Sequence, residues 1–380
     1  MKILFTGGGT AGHINPALAV AGYVRDHEPD AEILFVGSQG GMEERLVPKA
    51  GFRIETVPVS GFIRKPSWRA LKHNLRAVKL AFDASRASAR ILRAFQPDIC
   101  VGTGGYVSGP VLREAKKLGY PVIVHESNAF PGVTIKMLAK YADRILLAVP
   151  DAEAKLGGNY HDKIVVTGNP VRSEMLFADK ATARKKLGLD ERPVVLSYGG
   201  SLGAENINRA VAALICRTAQ TDSVQHIHAY GQYGRWFPQL LEDHGVHLAD
   251  HPNLDIREYI DNMPDCAAAA DLIICRAGAM SLSELEVQAK PAILIPSPNV
   301  AENHQYYNAL ALSSRGAAVL LEEKDLTGDR LCELALGLLA DPEKLASCGH
   351  NAGKLAIVDA NDRIYREIRQ VLAAKKSATP

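Results

Sequence analysis

One pattern occurs twice in this chain and restricts its possible folds more than any other feature. A strand-like apolar segment, a glycine-rich turn and an amphipathic segment follow one another at residues 3–20 and again at residues 194–211. The turns correspond one to one: Gly8, Gly9, Thr10 and Gly12 in the first copy, and Gly199, Gly200, Ser201 and Gly203 in the second. A strand that passes through a glycine turn into a helix opens a doubly wound α/β domain. The repeat therefore predicts two such domains in tandem.

Short segments rich in β-branched residues recur along both halves. They lie at 33–36, 99–101, 122–124, 144–149, 164–166, 194–197, 226–230, 254–257, 272–275, 292–295 and 318–321. Most are followed by a turn residue and then by helix-compatible sequence, which predicts parallel sheets with crossover helices. The Asn169–Pro170 step disfavours helix and is the expected domain joint. We therefore expect an N-terminal domain over 1–172 and a C-terminal domain over 173–357.

Composition excludes several classes of protein. The formal net charge is +2 and aromatic residues make up 6% of the chain, so neither a basic field nor a base-stacking surface indicates nucleic-acid binding. No apolar run reaches the length of a membrane-spanning helix. The six cysteines lack the CxxC spacing of zinc and redox sites, so we expect free thiols and no metal site.

The first glycine turn matches a dinucleotide fingerprint, Gly7-x-Gly9-x-x-Gly12. That fingerprint also needs an acid at the end of the second strand, to bind the adenine ribose. Here the segment 33–36 continues into Gly37-Ser38-Gln39 instead. A nicotinamide enzyme is therefore disfavoured. A glycine turn at the start of a helix still suits a diphosphate.

The second glycine turn matches G-x-S-x-G, the turn that carries the nucleophile of serine hydrolases. A hydrolase that uses Ser201 is one alternative. The equivalent position in the first turn is Thr10, however, which favours a hydroxyl that binds phosphate or stabilises the turn.

Residues 276–284 pass from the strand-like segment 272–275 through a glycine turn into a helix. The start of such a helix presents N–H groups and a positive dipole, which suits a diphosphate. Glu284 is then placed to bind a ribose diol. The alternative is a helix cap with Ser at the cap and Glu near the third position. Because Asp-x-Asp does not occur in the sequence, we expect helix dipoles and fixed cations to stabilise a leaving diphosphate.

Residues 61–96 carry an unusual excess of positive charge. Their one acid is Asp83, and their nine basic residues are Arg64, Lys65, Arg69, Lys72, Arg76, Lys79, Arg86, Arg90 and Arg93. An apolar stripe at helical spacing runs beside them, formed by Trp68, Leu71, Leu75, Val78 and Phe82. This combination fits the surface of an anionic membrane. The alternative is a core-facing helix with a solvated basic face.

Seven motifs occur in an order that resembles one bacterial family. They are GGGTAGHINPALA, GTGGYVSGP, HESNAFPG, GNPVR, GGSLGA, CRAGAMSLSE and NHQYYNAL. The chain is similar to the MurG family of N-acetylglucosaminyltransferases, which complete lipid II in peptidoglycan synthesis. The resemblance implies a GT-B fold, in which two Rossmann-like domains face a cleft and a terminal helix, here 358–380, packs back on the first domain.

The resemblance also implies the substrates. The second domain is expected to bind UDP-N-acetylglucosamine (UDP-GlcNAc), and the first to bind lipid I, a muramoyl-pentapeptide on undecaprenyl diphosphate. The enzyme is expected at the cytoplasmic face of the cell membrane as a peripheral protein, with a part in cell shape and division. Transfer is expected to invert the sugar C1 without a metal or other cofactor.

The family's donor-site residues carry over to matching positions here. Thr10, Ala11 and Gly12 match the first glycine loop, Asn128 a sugar contact, Arg172 and Ser201 diphosphate contacts, Ile260 a main-chain uracil contact, and Gln305 a contact to the GlcNAc hydroxyls. The helix-start segment is matched by Ala279, Met280, Ser281, Leu282, Ser283 and Glu284, with Glu284 at the ribose.

Two residues are candidates for the general base that deprotonates the acceptor hydroxyl. His13 lies at the first glycine turn, and its alternative role is to orient the loop or contact diphosphate. Glu126 ends a predicted strand, where such folds place catalytic groups, and its alternative is a structural carboxylate bonded to loop amides. A UDP-GlcNAc 2-epimerase of the same fold remains a second functional alternative, since it needs no lipid acceptor.

Overall fold

The computed structural model describes the backbone of residues 1–59 and 68–378, and the side chains of all of these except 68–79, 81 and 376–378. The chain forms two compact units. Unit 1 comprises Met1–Val171 together with Asp359–Pro380, and unit 2 comprises Arg172–Val358.

Unit 1 is built on a parallel sheet whose described strands follow the order β3-β2-β1-β4-β5-β6-β7. The strands are β1 Lys2–Gly7, β2 Glu32–Ser38, β3 Arg53–Val57, β4 Ile99–Gly104, β5 Val122–Glu126, β6 Arg144–Leu147 and β7 Ile164–Val166. The helices are α1 Ala11–His27, α2 Glu43–Lys49, α3 Trp68–Phe95, α4 Ser108–Lys117, α5 Val133–Leu138 and the C-terminal α15 Ala360–Ala378.

Both faces of this sheet are covered, which explains why its central strands are apolar throughout. Because side chains alternate along a strand, Leu4 of β1 packs into one core with Leu92 of α3, while its neighbours Ile3 and Phe5 pack into a second core. Helix α15 contributes Ile368 to that second core, beside residues of α1. The C-terminal segment therefore belongs to the packing of unit 1.

Unit 2 has a second parallel sheet, in the order β10-β9-β8-β11-β12-β13. Its strands are β8 Val194–Tyr198, β9 Gln225–Ala229, β10 Leu254–Arg257, β11 Leu272–Cys275, β12 Ala292–Leu294 and β13 Val319–Leu320. Its helices are α6 Ser173–Phe177, α7 Lys180–Leu187, α8 Glu205–Ala219, α9 Phe237–Asp243, α10 Met263–Ala269, α11 Ala279–Val287, α12 His304–Ser313, α13 Gly328–Leu339 and α14 Pro342–Leu355.

The predicted fold class, two doubly wound parallel-sheet domains, is confirmed. Each sheet changes strand order beside its first strand, since β1 lies between β2 and β4 and β8 lies between β9 and β11. The sequence did not predict β3, because Arg53 and Glu55 break its apolar pattern. An edge strand tolerates such residues, since one of its sides is unpaired.

Two buried histidines lie on one face of β9. His226 Nε2 is 2.8 Å from Thr218 Oγ1, and His228 Nδ1 is 2.8 Å from Ser197 Oγ. Burial lowers the pKa of each imidazole to about 3. Both rings are therefore neutral in the folded protein at physiological pH.

Replacing His228 by asparagine is expected to reduce the acid sensitivity of unit 2. The unfolded state takes up a proton near pH 6.5 while the folded state does not, so this histidine costs stability progressively as pH falls below 6.5. Between pH 7 and pH 5 that loss amounts to about 2 kcal/mol in the parent protein. Asparagine keeps a polar atom toward Ser197 and does not titrate. Urea unfolding at both pH values measures the difference.

The control for this measurement is His244→Asn, which removes an exposed histidine from the end of α9. If the parent and His228→Asn lost the same free energy of unfolding between pH 7 and pH 5, then His228 would not resist protonation as its burial requires.

Candidate active site

The first glycine turn connects β1 to α1 in unit 1. Gly9 has a φ of 82°, in the left-handed region that favours glycine. Thr10 is the N-cap of α1 with extended backbone, and its carbonyl accepts hydrogen bonds from the N–H groups of His13 (3.1 Å) and Ile14 (3.2 Å). Ala11, Gly12 and His13 therefore form the first turn of α1, directly after the loop.

Thr103, at the end of β4, hydrogen bonds with both the ring and the backbone carbonyl of His13. The His13 Nδ1 lies 3.1 Å from the Thr103 carbonyl oxygen, and Thr103 Oγ1 donates to the His13 carbonyl at 2.6 Å. Because a carbonyl only accepts, Nδ1 carries the proton of the neutral ring and Nε2 carries the lone pair. A Cβ on Gly104 would overlap the ring of His13, so glycine is required there. The GTGG motif thus positions this imidazole and fixes its tautomer.

Glu126 ends β5 and is 3% exposed. Its Oε1 accepts from the backbone N (2.8 Å) and Nδ2 (2.9 Å) of Asn128, and its Oε2 accepts from Gly132 N at 2.8 Å. Burial raises the pKa of Glu126 above its ordinary value, while these hydrogen bonds oppose the rise. Both carboxylate oxygens hold the loop 127–132, and one of them orients the Asn128 amide. This geometry is that of a structural carboxylate bonded to loop amides, the alternative to a general base.

In unit 2, α11 begins directly after the turn that follows β11. Gly278 is the N-cap, and Ala279 is the first helical residue. The alternative of a serine cap is therefore wrong, because Ser281 and Ser283 lie inside the helix. The Ser281 hydroxyl instead hydrogen bonds with Tyr198 at the end of β8. No side chain of the cap residue covers the start of α11, which leaves its dipole directed at this edge of the sheet.

Glu284 and Arg172 are brought together within unit 2. Glu284 Oε1 is 3.3 Å from Arg172 Nη2. Burial raises the pKa of Glu284, and the guanidinium of Arg172 opposes that rise. The Arg172 side chain is 53% exposed and can rotate toward a ligand, whereas Glu284 is largely enclosed on the helix.

Ser201 is exposed at the tip of the second glycine turn, between Gly200 (φ 93°) and Gly203 (φ 86°). Its carbonyl accepts from Gln232 N at 3.1 Å, which ties the turn to the loop after β9. Within the described residues, no hydrogen bond connects Ser201 Oγ to a histidine or a carboxylate. The arrangement lacks the base contact that a serine nucleophile needs.

Two further donor-site candidates lie in unit 2, one in a loop and one at the start of a helix. Ile260 is buried between β10 and α10. Gln305 lies in the first turn of α12, where its Oε1 accepts from Ser297 N at 2.8 Å. A cleft of about 360 Å³ opens at this loop, with polar lining from Asn206, Ser297, Asn303, Tyr306, Glu323 and Lys324.

Within each unit, the candidates gather at the carboxyl edge of the sheet, where ligands bind in open α/β folds. In unit 1 the first loop follows β1, and Glu126 and Asn128 follow β5. In unit 2 the candidate segments follow β8, β10, β11 and β12.

The sequence did not identify two charged residues at these edges, one partly buried and one fully buried. Arg276 forms an ion pair with Glu323 and donates to the carbonyls of Ile295 and Pro296 at 3.2 Å each. Glu43 of α2 accepts hydrogen bonds from Gly9 N in the first glycine turn and from Ser38 N at the end of β2. Arg276 belongs to the CRAGAMSLSE motif, which was a usable signal, whereas Glu43 lies outside all seven motifs.

Among the side chains that the structure describes, no three or more histidine, cysteine or acidic groups are placed to hold a metal ion. The described helices include none with the length and apolar content to cross a membrane.

Comparison with protein families and known proteins identifies close relatives. Residues 3–147 match the glycosyltransferase family 28 N-terminal domain, and residues 194–364 match the family 28 C-terminal domain. A relative from Acetivibrio thermocellus is 46% identical over 378 residues, covering 99% of each chain. A second, from Desulforamulus reducens, is 40% identical and covers 98% of this chain and 99% of its own. Both are named UDP-N-acetylglucosamine–N-acetylmuramyl-(pentapeptide) pyrophosphoryl-undecaprenol N-acetylglucosamine transferase.

Solved structures agree with this assignment. The crystal structure of Acinetobacter baumannii MurG superposes with a TM-score of 0.76 at 26% identity, covering 97% of this chain and 99% of that one. The Neisseria meningitidis UDP-GlcNAc 2-epimerase bound to UDP-GlcNAc has a TM-score of 0.66 at 14% identity, covering 97% and 100%, and shows the shared fold alone. The GT-B prediction and the predicted resemblance are confirmed. The chain belongs to glycosyltransferase family 28, and within it to the UDP-N-acetylglucosamine–N-acetylmuramyl-(pentapeptide) pyrophosphoryl-undecaprenol N-acetylglucosamine transferases.

Proposed function

We propose that this protein transfers GlcNAc from UDP-GlcNAc to the C4 hydroxyl of the muramoyl sugar of lipid I, giving lipid II and UDP. The observation that carries the proposal is the 46% identity, over nearly the whole of both chains, to a transferase whose name states this donor and acceptor. Because lipid II is the precursor of peptidoglycan, cell shape and division depend on the reaction.

Unit 2 is the proposed donor site. The start of α11 attracts the diphosphate through its backbone dipole, and Arg172 and Ser201 add a cation and a hydroxyl. Glu284 accepts hydrogen bonds from the ribose diol, and the backbone at Ile260 contacts uracil. In this structure Arg172 pairs with Glu284. Nucleotide binding would therefore exchange this ion pair for two charge-assisted contacts, one to the diphosphate and one to the ribose.

The GlcNAc moiety is assigned to polar groups that can bind hydroxyls. Gln305 lies beside the polar cleft of unit 2. Its Oε1 accepts a hydrogen bond from Ser297 N, so its amide nitrogen points away from Ser297. In unit 1, Asn128 is oriented by Glu126, and Thr10, Ala11 and Gly12 form the loop proposed to contact the sugar and diphosphate.

The chemistry is a single displacement at C1. The acceptor hydroxyl attacks, UDP leaves, and an α-linked sugar becomes β-linked. We assign the general base to His13, because its bond to the Thr103 carbonyl directs the basic lone pair to Nε2. Glu126 has a supporting role in this scheme, since its two oxygens already accept three hydrogen bonds. The start of α11 and Arg172 stabilise the charge that develops on UDP.

Because lipid I is anchored in the bilayer, we propose that unit 1 binds the cytoplasmic surface of the cell membrane peripherally through the segment 61–96. Residues 61–67 and the side chains up to Lys79 lie outside the described residues. In the described part of α3, Arg86, Arg90 and Arg93 are exposed and Leu92 is buried. That pattern is also the one expected of a core-facing helix with a solvated basic face. Phe82, on the same exposed face, is 67% exposed and favours the membrane.

Phosphatidylglycerol-rich vesicles are expected to bind the protein, and Phe82→Ser is expected to weaken that binding roughly tenfold or more, since insertion of a phenyl ring contributes about 1.5–3 kcal/mol. The cations add about 1 kcal/mol each near an anionic surface, so binding should fall with added salt. Vesicle sedimentation in low and high salt measures both effects.

Phe177→Ser is the matched control, because Phe177 is 83% exposed in α6 of unit 2. Equal losses in the two variants, or tight binding to neutral phosphatidylcholine vesicles, would contradict a membrane surface on α3.

Transfer of labelled GlcNAc from UDP-GlcNAc to a lipid I analogue tests the function directly. We expect label in the lipid product and one UDP per sugar transferred. A parallel incubation with the donor alone tests the epimerase alternative. Formation of the manno epimer without acceptor, and no transfer with it, would overturn the proposal.

A further inference from the structure

Glu43, at the start of α2, is a fully buried carboxylate with no role in the reaction described so far. Its side chain is 0% exposed. Oε1 accepts hydrogen bonds from Ser38 N (2.7 Å) and Ser38 Oγ, and Oε2 accepts from Gly9 N (3.2 Å). The carboxylate therefore connects the loop after β2 to the glycine turn after β1.

Three glycines leave the space that this carboxylate occupies. A Cβ added to Gly8, Gly37 or Gly41 would overlap the Glu43 side chain. Gly8 is distant in sequence from Gly37 and Gly41, which precede Glu43 in one loop, yet all three face the same side chain. Substituting any of them would displace Glu43 or the loop that it binds. The pocket formed by Gly8, Gly37, Ser38 and Gly41, here called the Glu43 pocket, is thus shaped around an acid.

The pocket stabilises the ionised form of Glu43. Burial alone raises the pKa of this carboxyl, but hydrogen bonds from Ser38 and from the backbone N–H groups of Ser38, Glu43 and Gly9 hold it below its ordinary value. Among the described ion pairs none includes Glu43. Backbone dipoles and one hydroxyl therefore balance the charge, as they do for a bound phosphate.

This arrangement changes what the first glycine turn can do. In dinucleotide-binding folds the N–H groups of this turn bind the diphosphate of the ligand. Here the Gly9 N–H binds an internal carboxylate. The next residue, Thr10, caps α1 and accepts the hydrogen bond from His13 N. His13 is thus linked to Glu43 through the loop on one side and to Thr103 through its ring on the other.

We propose that Glu43 is a positioning residue, an internal anion that takes the place of a ligand phosphate at the glycine turn of unit 1 and so fixes the loop that presents His13. The proposal rests on the proposed function only for the role of His13. The glycine turn then serves to orient a catalytic side chain.

The substitution Glu43→Gln tests this proposal. Glutamine has the same shape but one acceptor oxygen, so it cannot accept from both Ser38 N and Gly9 N. We expect kcat to fall roughly 10- to 50-fold, because small displacements of a catalytic group reduce rates by such factors. The KM for UDP-GlcNAc and the Kd for UDP should change much less than kcat, since all the proposed nucleotide contacts except those of the first glycine loop lie in unit 2. Amide exchange at residues 9–13 should become faster.

Glu44→Gln is the matched control, because Glu44 is the exposed neighbour on α2 and accepts only from Gly40 N (3.0 Å) among the described contacts. It should retain the parent kcat and the parent exchange rates. Ser38→Ala is the milder companion variant, since it removes the hydroxyl bond and keeps the charge. The kcat of Ser38→Ala should fall roughly 3- to 10-fold. This variant tests the role of Glu43 if Glu43→Gln does not fold.

Two results would overturn the proposal: a kcat within twofold of the parent in both variants, or a loss of UDP affinity as large as the loss of kcat. Amide exchange rates do not depend on activity, so they test the positioning role of Glu43 separately from the proposed transferase function. If the parent protein fails to transfer GlcNAc but the Glu43 variants still accelerate exchange at residues 9–13, the proposed function fails while the role of Glu43 in fixing the loop stands. Unchanged exchange would reject that role.

Discussion

Replacing His13 by alanine is expected to lower kcat by ~10²-fold or more, while the Kd for UDP stays unchanged. The loss is that of a general base, which contributes roughly 10²- to 10⁴-fold to proton transfer. The Kd should not respond, because His13 is not among the residues proposed to contact the nucleotide. Steady-state transfer to a lipid I analogue gives kcat, and calorimetry with UDP gives the Kd.

His13→Asn separates the base from a residue that only orients the loop. Asparagine can still donate from its side chain toward the Thr103 carbonyl, which now receives the Nδ1 proton. It carries no basic nitrogen. We expect this variant to be as slow as His13→Ala. Recovery of activity in His13→Asn would show that the hydrogen bond matters and the lone pair does not.

Glu126→Gln gives the comparison with the second candidate base. Glutamine keeps one acceptor for Asn128 or Gly132 and loses the other, so the expected result is lower stability with a smaller loss of kcat than in the His13 variants. Near-normal turnover in His13→Ala, together with an inactive but folded Glu126→Gln, would transfer the role of base to Glu126.

The strand segments of both units could be predicted from the sequence because burial on two faces imposes an apolar pattern. Segments such as 272–275 have no polar position, and they form strands as expected. Strand β3 could not be predicted, because its alternating Arg53 and Glu55 reflect its place at the sheet edge, which is a property of the folded unit. The other edge strands, β7, β10 and β13, coincide with predicted segments, so β3 is the exception among the edges.

The candidate site divides in the same way. Turns such as Gly199–Gly203 could be located from the sequence because they are rich in glycine. The role of a carboxylate does not follow from position, since Glu126 ends a strand as a catalytic acid would, and only its three hydrogen bonds indicate support of the loop. Glu43 could not be identified from the sequence, because its contacts with Gly8 and Gly9, about 35 residues earlier in the chain, form only after folding.

Replacing Glu284 by alanine is expected to weaken UDP binding by ~1.5–3 kcal/mol, which corresponds to roughly 10- to 150-fold in Kd. The carboxylate is proposed to accept hydrogen bonds from the ribose diol, and bonds to a charged acceptor are the stronger kind. Calorimetric titration with UDP measures the change. Glu333→Gln, which alters an exposed acid on α13, is the control.

The pH dependence of the same titration tests the mechanism behind that loss. Burial raises the pKa of Glu284, opposed by Arg172, so the carboxyl takes up a proton at a higher pH than an ordinary glutamate. A protonated carboxyl accepts the ribose hydroxyls more weakly, and UDP affinity should therefore decrease as pH falls through that raised pKa. Glu284→Gln should remove this part of the dependence and leave the part that belongs to the phosphates of UDP. An unchanged Kd in Glu284→Ala, or the same pH dependence in parent and Glu284→Gln, would mean that the ribose binds elsewhere and that Glu284 serves only to hold Arg172 at the start of α11.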